Sequence, residues 1–139
     1  MILVDTNVIS EPLRKTPEPR VVAWINAQPL ETLYLSAVTV AELRFGVASL
    51  PPGKRREGLH ESLETRVLPL FAGRILSFDL AASQAYAELM ANARAAGALP
   101  GTADGLIAAT ARANGMMVAT RDIAPFEALG VRVIDPWSA

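Results

Sequence analysis

The chain has 139 residues, 51% of them hydrophobic and 19% charged, with a formal net charge of −1. These values exclude a disordered chain and a globally basic nucleic-acid binder, and they fit one domain, residues 1–139, around a single substantial core. With no cysteine and one histidine, His60, the chain can build no disulfide, no thiolate zinc site, no cysteine nucleophile and no all-histidine metal site.

The opening Met-Ile-Leu-Val-Asp has no basic leader and reaches an acid at position 5, so it is not expected to be an export signal. No apolar run approaches the roughly 20 residues that span a bilayer, and a soluble cytoplasmic protein with no membrane partner is expected. Ile2-Leu3-Val4 is a short apolar run of the kind buried on both faces of a sheet, and Asp5-Thr6-Asn7 suits the cap of a following helix. Pro12, Pro17 and Pro19 interrupt the next stretch, and a loop is expected around residues 11–20. A short helix is expected over 21–28 around Trp24, then a strand over 33–36 and a helix from about 38 to 50, stopped by Pro51-Pro52-Gly53. Residues 51–58 read as a loop leading into an Arg- and Glu-rich helix that ends near Val67, with His60 on its solvated face. Residues 74–78 read as the third strand.

Asp79 is a good cap for the next helix, whose apolar stripe is Ala82, Ala85, Tyr86, Leu89, Met90 and Ala93, with Gly97 and Pro100 marking its end. Thr102 opens another Ala-rich helix closed by Gly115. Residues 116–119 and 131–134 read as the fourth and fifth strands. Strands alternating with helices predict an α/β three-layer domain with a mostly parallel sheet.

In such sheets, ligands bind beyond the carboxyl ends of the strands. Asp5 directly follows the first strand, and Asp122 is separated from the fourth by two residues. Glu42 stands at helical spacing between Val38 and Phe45, and Asp104 lies in a first helical turn near Ile107, Ala108 and Ala111. Each of these two is expected to border a stripe that faces the sheet. Singly, Asp5 reads equally as a cap, Asp104 as a dipole partner, Glu42 as a solvated edge residue and Asp122 as a turn residue. Together, the α/β layout sends all four towards one end of the sheet, where a cation would have to offset their charge. Their mutual repulsion is expected to raise their pKa values as a group. Oxygen ligands without His or Cys favour Mg²⁺ or Mn²⁺.

The same residues carry a family resemblance. Val-Asp-Thr-Asn with Asp5, Thr-Val-Ala-Glu-Leu-Arg with Glu42, Thr-Ala-Asp-Gly-Leu-Ile-Ala-Ala-Thr-Ala with Asp104 and Val-Ala-Thr-Arg-Asp with Asp122 resemble the acidic quartet of PIN domains. The opening Met-Ile-Leu-Val-Asp-Thr-Asn-Val-Ile-Ser-Glu, the Leu-Pro-Leu-Phe-Ala-Gly-Arg-Ile-Leu stretch at 68–76 and the closing Pro136-Trp137 resemble the FitB branch of VapC-type toxins.

The resemblance implies a PIN-domain three-layer sandwich with a five-stranded sheet. It implies a Mg²⁺-dependent endoribonuclease, with Mn²⁺ as a possible substitute, in which Asp5 and Asp104 are the most direct metal ligands. Glu42 and Asp122 would complete the pocket, and Thr6, Asn7, Thr120 and Arg121 would support it. Many relatives carry Asn at the position of Asp122. The partners implied are an RNA substrate, a cognate small antitoxin of the ribbon-helix-helix type, promoter DNA through that antitoxin, and a second copy of the chain. The alternative is a subunit of a promoter-binding repressor complex with little nuclease activity of its own.

An aspartyl-nucleophile phosphatase would place a second Asp two residues after the first, where this chain has Asn7. A phospho-receiver domain would need a late lysine, and none follows Lys54.

Overall fold

A computed structural model describes residues 1–139. Ile2–Val4 forms β1, and its place in the sheet explains its lack of polar residues. It pairs in parallel with β2 (Leu33–Ser36) on one side and with β4 (Met117–Ala119) on the other. Strand β3 (Ile75–Leu76) lies beyond β2, and β5 (Val133–Ile134) lies beyond β4, so the order is β3-β2-β1-β4-β5 with every ladder parallel.

Helices cover both faces, which is why β1 and β4 are apolar throughout. Successive residues point to opposite layers. Leu3 and Val118 join Ala85, Leu89 and Ala93 of α5 (Leu80–Ala95), Ile107, Ala108 and Ala111 of α6 (Thr102–Ala113), and Phe126 of α7 (Ile123–Ala128). Val4 and Ala119 face the other layer, with Val8 of α1 (Thr6–Ser10), Val21 of α2 (Pro19–Ala27), and Val40 and Leu43 of α3 (Ala37–Ala48). No helix is long and apolar enough to cross a membrane.

The glycines expected to close α5 and α6 do so: Gly97 and Gly115 have φ of 83° and 66°, the left-handed conformation a helix terminus takes most easily with glycine. Asp79 caps α5 as expected, its carboxylate accepting from the Ala82 amide at 2.9 Å.

Several boundaries differ from the sequence expectation. Residues 51–58 are not all loop, because α4 (Lys54–Glu61) begins at Lys54 behind Gly53, which offers no capping side chain. The 11–20 segment contains a 3₁₀ turn at Glu11–Leu13, and Pro19 starts α2 as a first-turn proline. After α4 the chain widens into a π turn at Ser62–Val67, where the Leu68 amide donates to the Leu63 carbonyl. That i→i+5 winding lets Leu63 and Leu68, five residues apart, both enter the core. The third and fifth strands pair over two residues each, as edge strands with one neighbour. Helix α7 went unpredicted, since Pro125 disguises a first helical turn as a break. On α3 the buried residues are Thr39, Val40 and Leu43, whereas Phe45 is 74% exposed. The Val38–Phe45 stripe expected beside Glu42 is therefore not the buried face, and Glu42 lies on the exposed side of the helix.

Candidate active site

Strand order reverses between β1 and β4, since β2 and β3 extend the sheet one way and β5 the other. Diverging connections leave a crevice at the carboxyl ends of such a pair. Asp5 leaves β1 directly into it, and Thr120, Arg121 and Asp122 leave β4 into it. Helix α6 feeds β4 and so begins at this same end, with Asp104 in its first turn. Helix α3 starts at the carboxyl end of β2 behind its Ser36 cap, with Glu42 in its second turn.

Neutral donors hold three of the four carboxylates. The Thr120 hydroxyl donates to Asp5 Oδ2 at 2.8 Å, and the Thr6 amide donates to Asp5 Oδ1 at 2.8 Å. Asp5 is thus both helix cap and crevice acid. The Thr6 hydroxyl donates to Glu42 Oε1 at 2.6 Å, and the Asn7 side-chain amide donates to Asp122 Oδ2 at 3.2 Å. Asp104 accepts no such bond. Thr6, Asn7 and Thr120, which the resemblance grouped as supporting residues, thus each orient an acid through the side chain: Glu42, Asp122 and Asp5 respectively. With the side chains held this way, no three of the acids close around one point.

Electrostatically the acids sense one another. Burial pushes the Asp5 carboxyl up to about 6, against the lowering effect of its Thr120 and Thr6 bonds, and the charges of Asp104 and Glu42 raise it further. The Asp104 carboxyl is also raised, first by burial and then by the charges of Asp122 and Glu42. Desolvation leads over repulsion in both, which corrects the expectation that repulsion is the main cause. The donor set fits a hard divalent cation, being all oxygen and including two half-desolvated carboxyls whose charge is uncompensated.

Thr120 is fully buried, and its oxygen also accepts from the Asp122 amide at 3.0 Å. Thr120→Val is therefore expected to destabilise the metal-free chain by about 2 kcal/mol at neutral pH, the usual loss for a hydrogen bond to a charged group. Urea unfolding above and below the Asp5 pKa checks this: the loss should shrink once Asp5 is protonated, and an equal loss at both would assign it to packing.

Two features escaped the sequence reading. Glu11, only 3% exposed, is a fifth acid, but the Glu18 amide at 2.9 Å and Arg14 at 3.2 Å satisfy it. The Glu18 bond leads the causes that hold its carboxyl below the usual range. Its hydrogen bonds fasten the 3₁₀ turn to the start of α2. Gly105 follows Asp104 where α6 meets α5; a Cβ there would lie 2.7 Å from Met90 Sδ and 3.0 Å from the Tyr86 ring. Close packing at Gly105 thus seats the turn that carries Asp104. The closing Trp137 lies under the Arg121 guanidinium at 5.0 Å and anchors that cation beside Asp122.

A family model described as "PIN domain" matches residues 2–131. The chain is 61% identical to VapC ribonuclease Y4jK of Sinorhizobium fredii, over 99% of this chain and 98% of that protein. It is 56% identical to toxin FitB of Neisseria gonorrhoeae, over 99% of each. The structure of FitAB bound to an IR36 DNA fragment superposes with a TM-score of 0.95 at 55% identity, covering 99% of this chain and 96% of that one.

Proposed function

Because this chain belongs to the PIN-domain family, we propose that it is the ribonuclease toxin of a toxin–antitoxin pair, with Asp5, Glu42, Asp104 and Asp122 as its active site. One observation carries this reading: carboxylates from four separate segments stand at the carboxyl end of the sheet's reversal point, near enough to raise one another's pKa, and two of them are held partly out of water. The whole chain, 1–139, acts as one PIN domain in the cytoplasm.

Asp5 and Asp104 would be the most direct ligands of a divalent cation, Mg²⁺ with Mn²⁺ as a substitute, and Glu42 and Asp122 would complete its surroundings. When bound, such an ion acts as a Lewis acid towards a phosphate oxygen and lowers the pKa of water. The residues do the rest. Thr120, Thr6 and Asn7 fix the orientations of Asp5, Glu42 and Asp122. The crevice offers no Cys or His, and its Thr6 and Thr120 hydroxyls are committed to Glu42 and Asp5, so water is assigned as the attacking group. The four carboxylates hold negative charge that uncompensated RNA phosphate would avoid, which makes activity depend on the cation.

The partner is a small ribbon-helix-helix antitoxin. Its tail carries an Arg or Lys into the acidic crevice in place of the cation, and the complex, built on a toxin homodimer, binds promoter DNA. In support, FitAB is the chain's structural relative and is bound to DNA.

The test is cleavage of RNA by the purified chain with and without a chelator. Cleavage is expected to stop on chelation and to return when Mg²⁺ is restored in excess. Cleavage indifferent to chelation would overturn the metal assignment, and no cleavage under any condition would favour the repressor-subunit alternative.

A further inference from the structure

Beside the carboxylates, two adjoining hollows share Arg55 and Leu59. The inner one, about 320 Å³, is lined by Thr6 and Glu42 at one end and by Arg14 and Arg55 along its rim. The outer one, a shallow and open depression, is lined by Lys15, Lys54 and Arg55. Together they make a trough that starts at the acids and runs out between the 3₁₀ turn after α1 and the first turn of α4.

The charge in this trough is unusual for the chain. Its only two lysines, Lys15 and Lys54, both line the outer hollow. Glu11 neutralises Arg14, and the other ion pair is Arg44–Glu64, so Lys15, Lys54 and Arg55 have no acidic partner. Lys54, Arg55 and Arg56 also occupy the first turn of α4, the positive end of the helix dipole, where three cations against the one acid of that turn, Glu57, disfavour the helix. A local arrangement that works against its own helix is expected where a ligand supplies the missing negative charge.

A chain of net charge −1 whose reactive crevice is acidic has no general attraction for a polyanion. We propose that the phosphate backbone of the RNA substrate lies along this trough and is held by Lys15, Lys54 and Arg55. This inference rests on the ribonuclease reading above. Leu43, Val47, Leu59 and Leu63 in the inner hollow offer no hydrogen bond to a base edge. Cationic contacts of this kind to phosphate position the strand.

The test measures binding of a fluorescein-labelled single-stranded RNA over a series of salt concentrations. It uses the full-length Asp104→Asn chain as parent, so that binding is read without cleavage. Adding Lys54→Gln with Arg55→Gln, both exposed changes to a good helix former, is expected to weaken binding roughly tenfold. The salt slope is expected to fall by about 1.4, at about 0.7 per single-strand phosphate contact. Arg132→Gln, at the opposite end of the sheet beside Met1, is expected to change neither. An unchanged affinity and slope in the double variant, with the parent still binding RNA, overturns the trough alone. A parent and wild type that bind no RNA overturn both the trough and the ribonuclease reading. A double variant that keeps its RNA affinity but loses the product of an adjoining antitoxin gene makes the trough a protein-docking surface and overturns the RNA assignment.

Discussion

Asp104→Asn is expected to lower metal-dependent RNA cleavage at least about a hundredfold while leaving the fold intact. Loss of a residue that merely orients a metal ligand already costs about 10–100-fold, and Asp104 is assigned as a ligand. It accepts no hydrogen bond, so the amide breaks no internal contact, and its volume is nearly that of the acid. Asp5→Asn and Glu42→Gln are expected to act similarly, although Asp5 also caps α1; Asn serves as well as Asp in that role. Asp122→Asn is expected to be milder, since an amide can still pair with Asn7. Single-turnover cleavage rates, measured beside circular dichroism, check the series. Near-wild-type cleavage by Asp104→Asn would remove it from the site.

The second large effect is on stability. The Asp5 carboxyl is raised from 3.8 to about 6 in the folded chain. The folded state thus holds this proton more tightly than the unfolded state, so ionising Asp5 costs stability. That penalty is fully present above about 6, shrinks as pH falls through that value, and is gone below the unfolded value. That rise corresponds to about 3 kcal/mol when Asp5 is fully ionised, and Asp104 adds a contribution of the same sign. Glu11 works in the opposite direction. Its lowered carboxyl stabilises the fold above its unfolded value, and this is lost on further acidification. Between neutral pH and about 5 less than half of the penalty is relieved, so the metal-free chain is expected to gain roughly 5 °C in Tm over that interval and to lose stability on further acidification as Glu11 protonates. Metal-free Asp104→Asn is expected to melt higher than wild type at neutral pH. A markedly lower melting point would make Asp104 a structural capping residue at the amino end of α6.

Much of this fold and site is legible in the sequence itself. Ile2–Val4, Leu33–Ser36 and the Asp79 cap were readable because an apolar run or a capping acid states its role locally. The direction of Asp5, Asp104 and Asp122 followed from topology, since parallel strands put all their carboxyl ends on one side. Other features depended on tertiary context. Nothing local distinguishes Glu11, buried and satisfied, from a surface acid seven residues before the amide that binds it. Phe45 looked like a core residue by spacing, yet α3 turns its Thr39–Val40–Leu43 side to the sheet. The π turn became visible only once Leu63 and Leu68 were seen to share one core. The relative weight of burial and repulsion at Asp5 also needed the depth of the crevice, which no spacing encodes.

The central claim is that these carboxylates form one divalent-cation site, and a calorimetric titration of Mn²⁺ into the metal-free chain tests it most directly. Wild type, Asp5→Asn and Asp104→Asn are compared above the Asp5 pKa, where proton competition is absent. The expected result is saturable binding by wild type, weakened at least about tenfold in each variant. Equal affinity in all three, or no saturable binding by wild type, would contradict it.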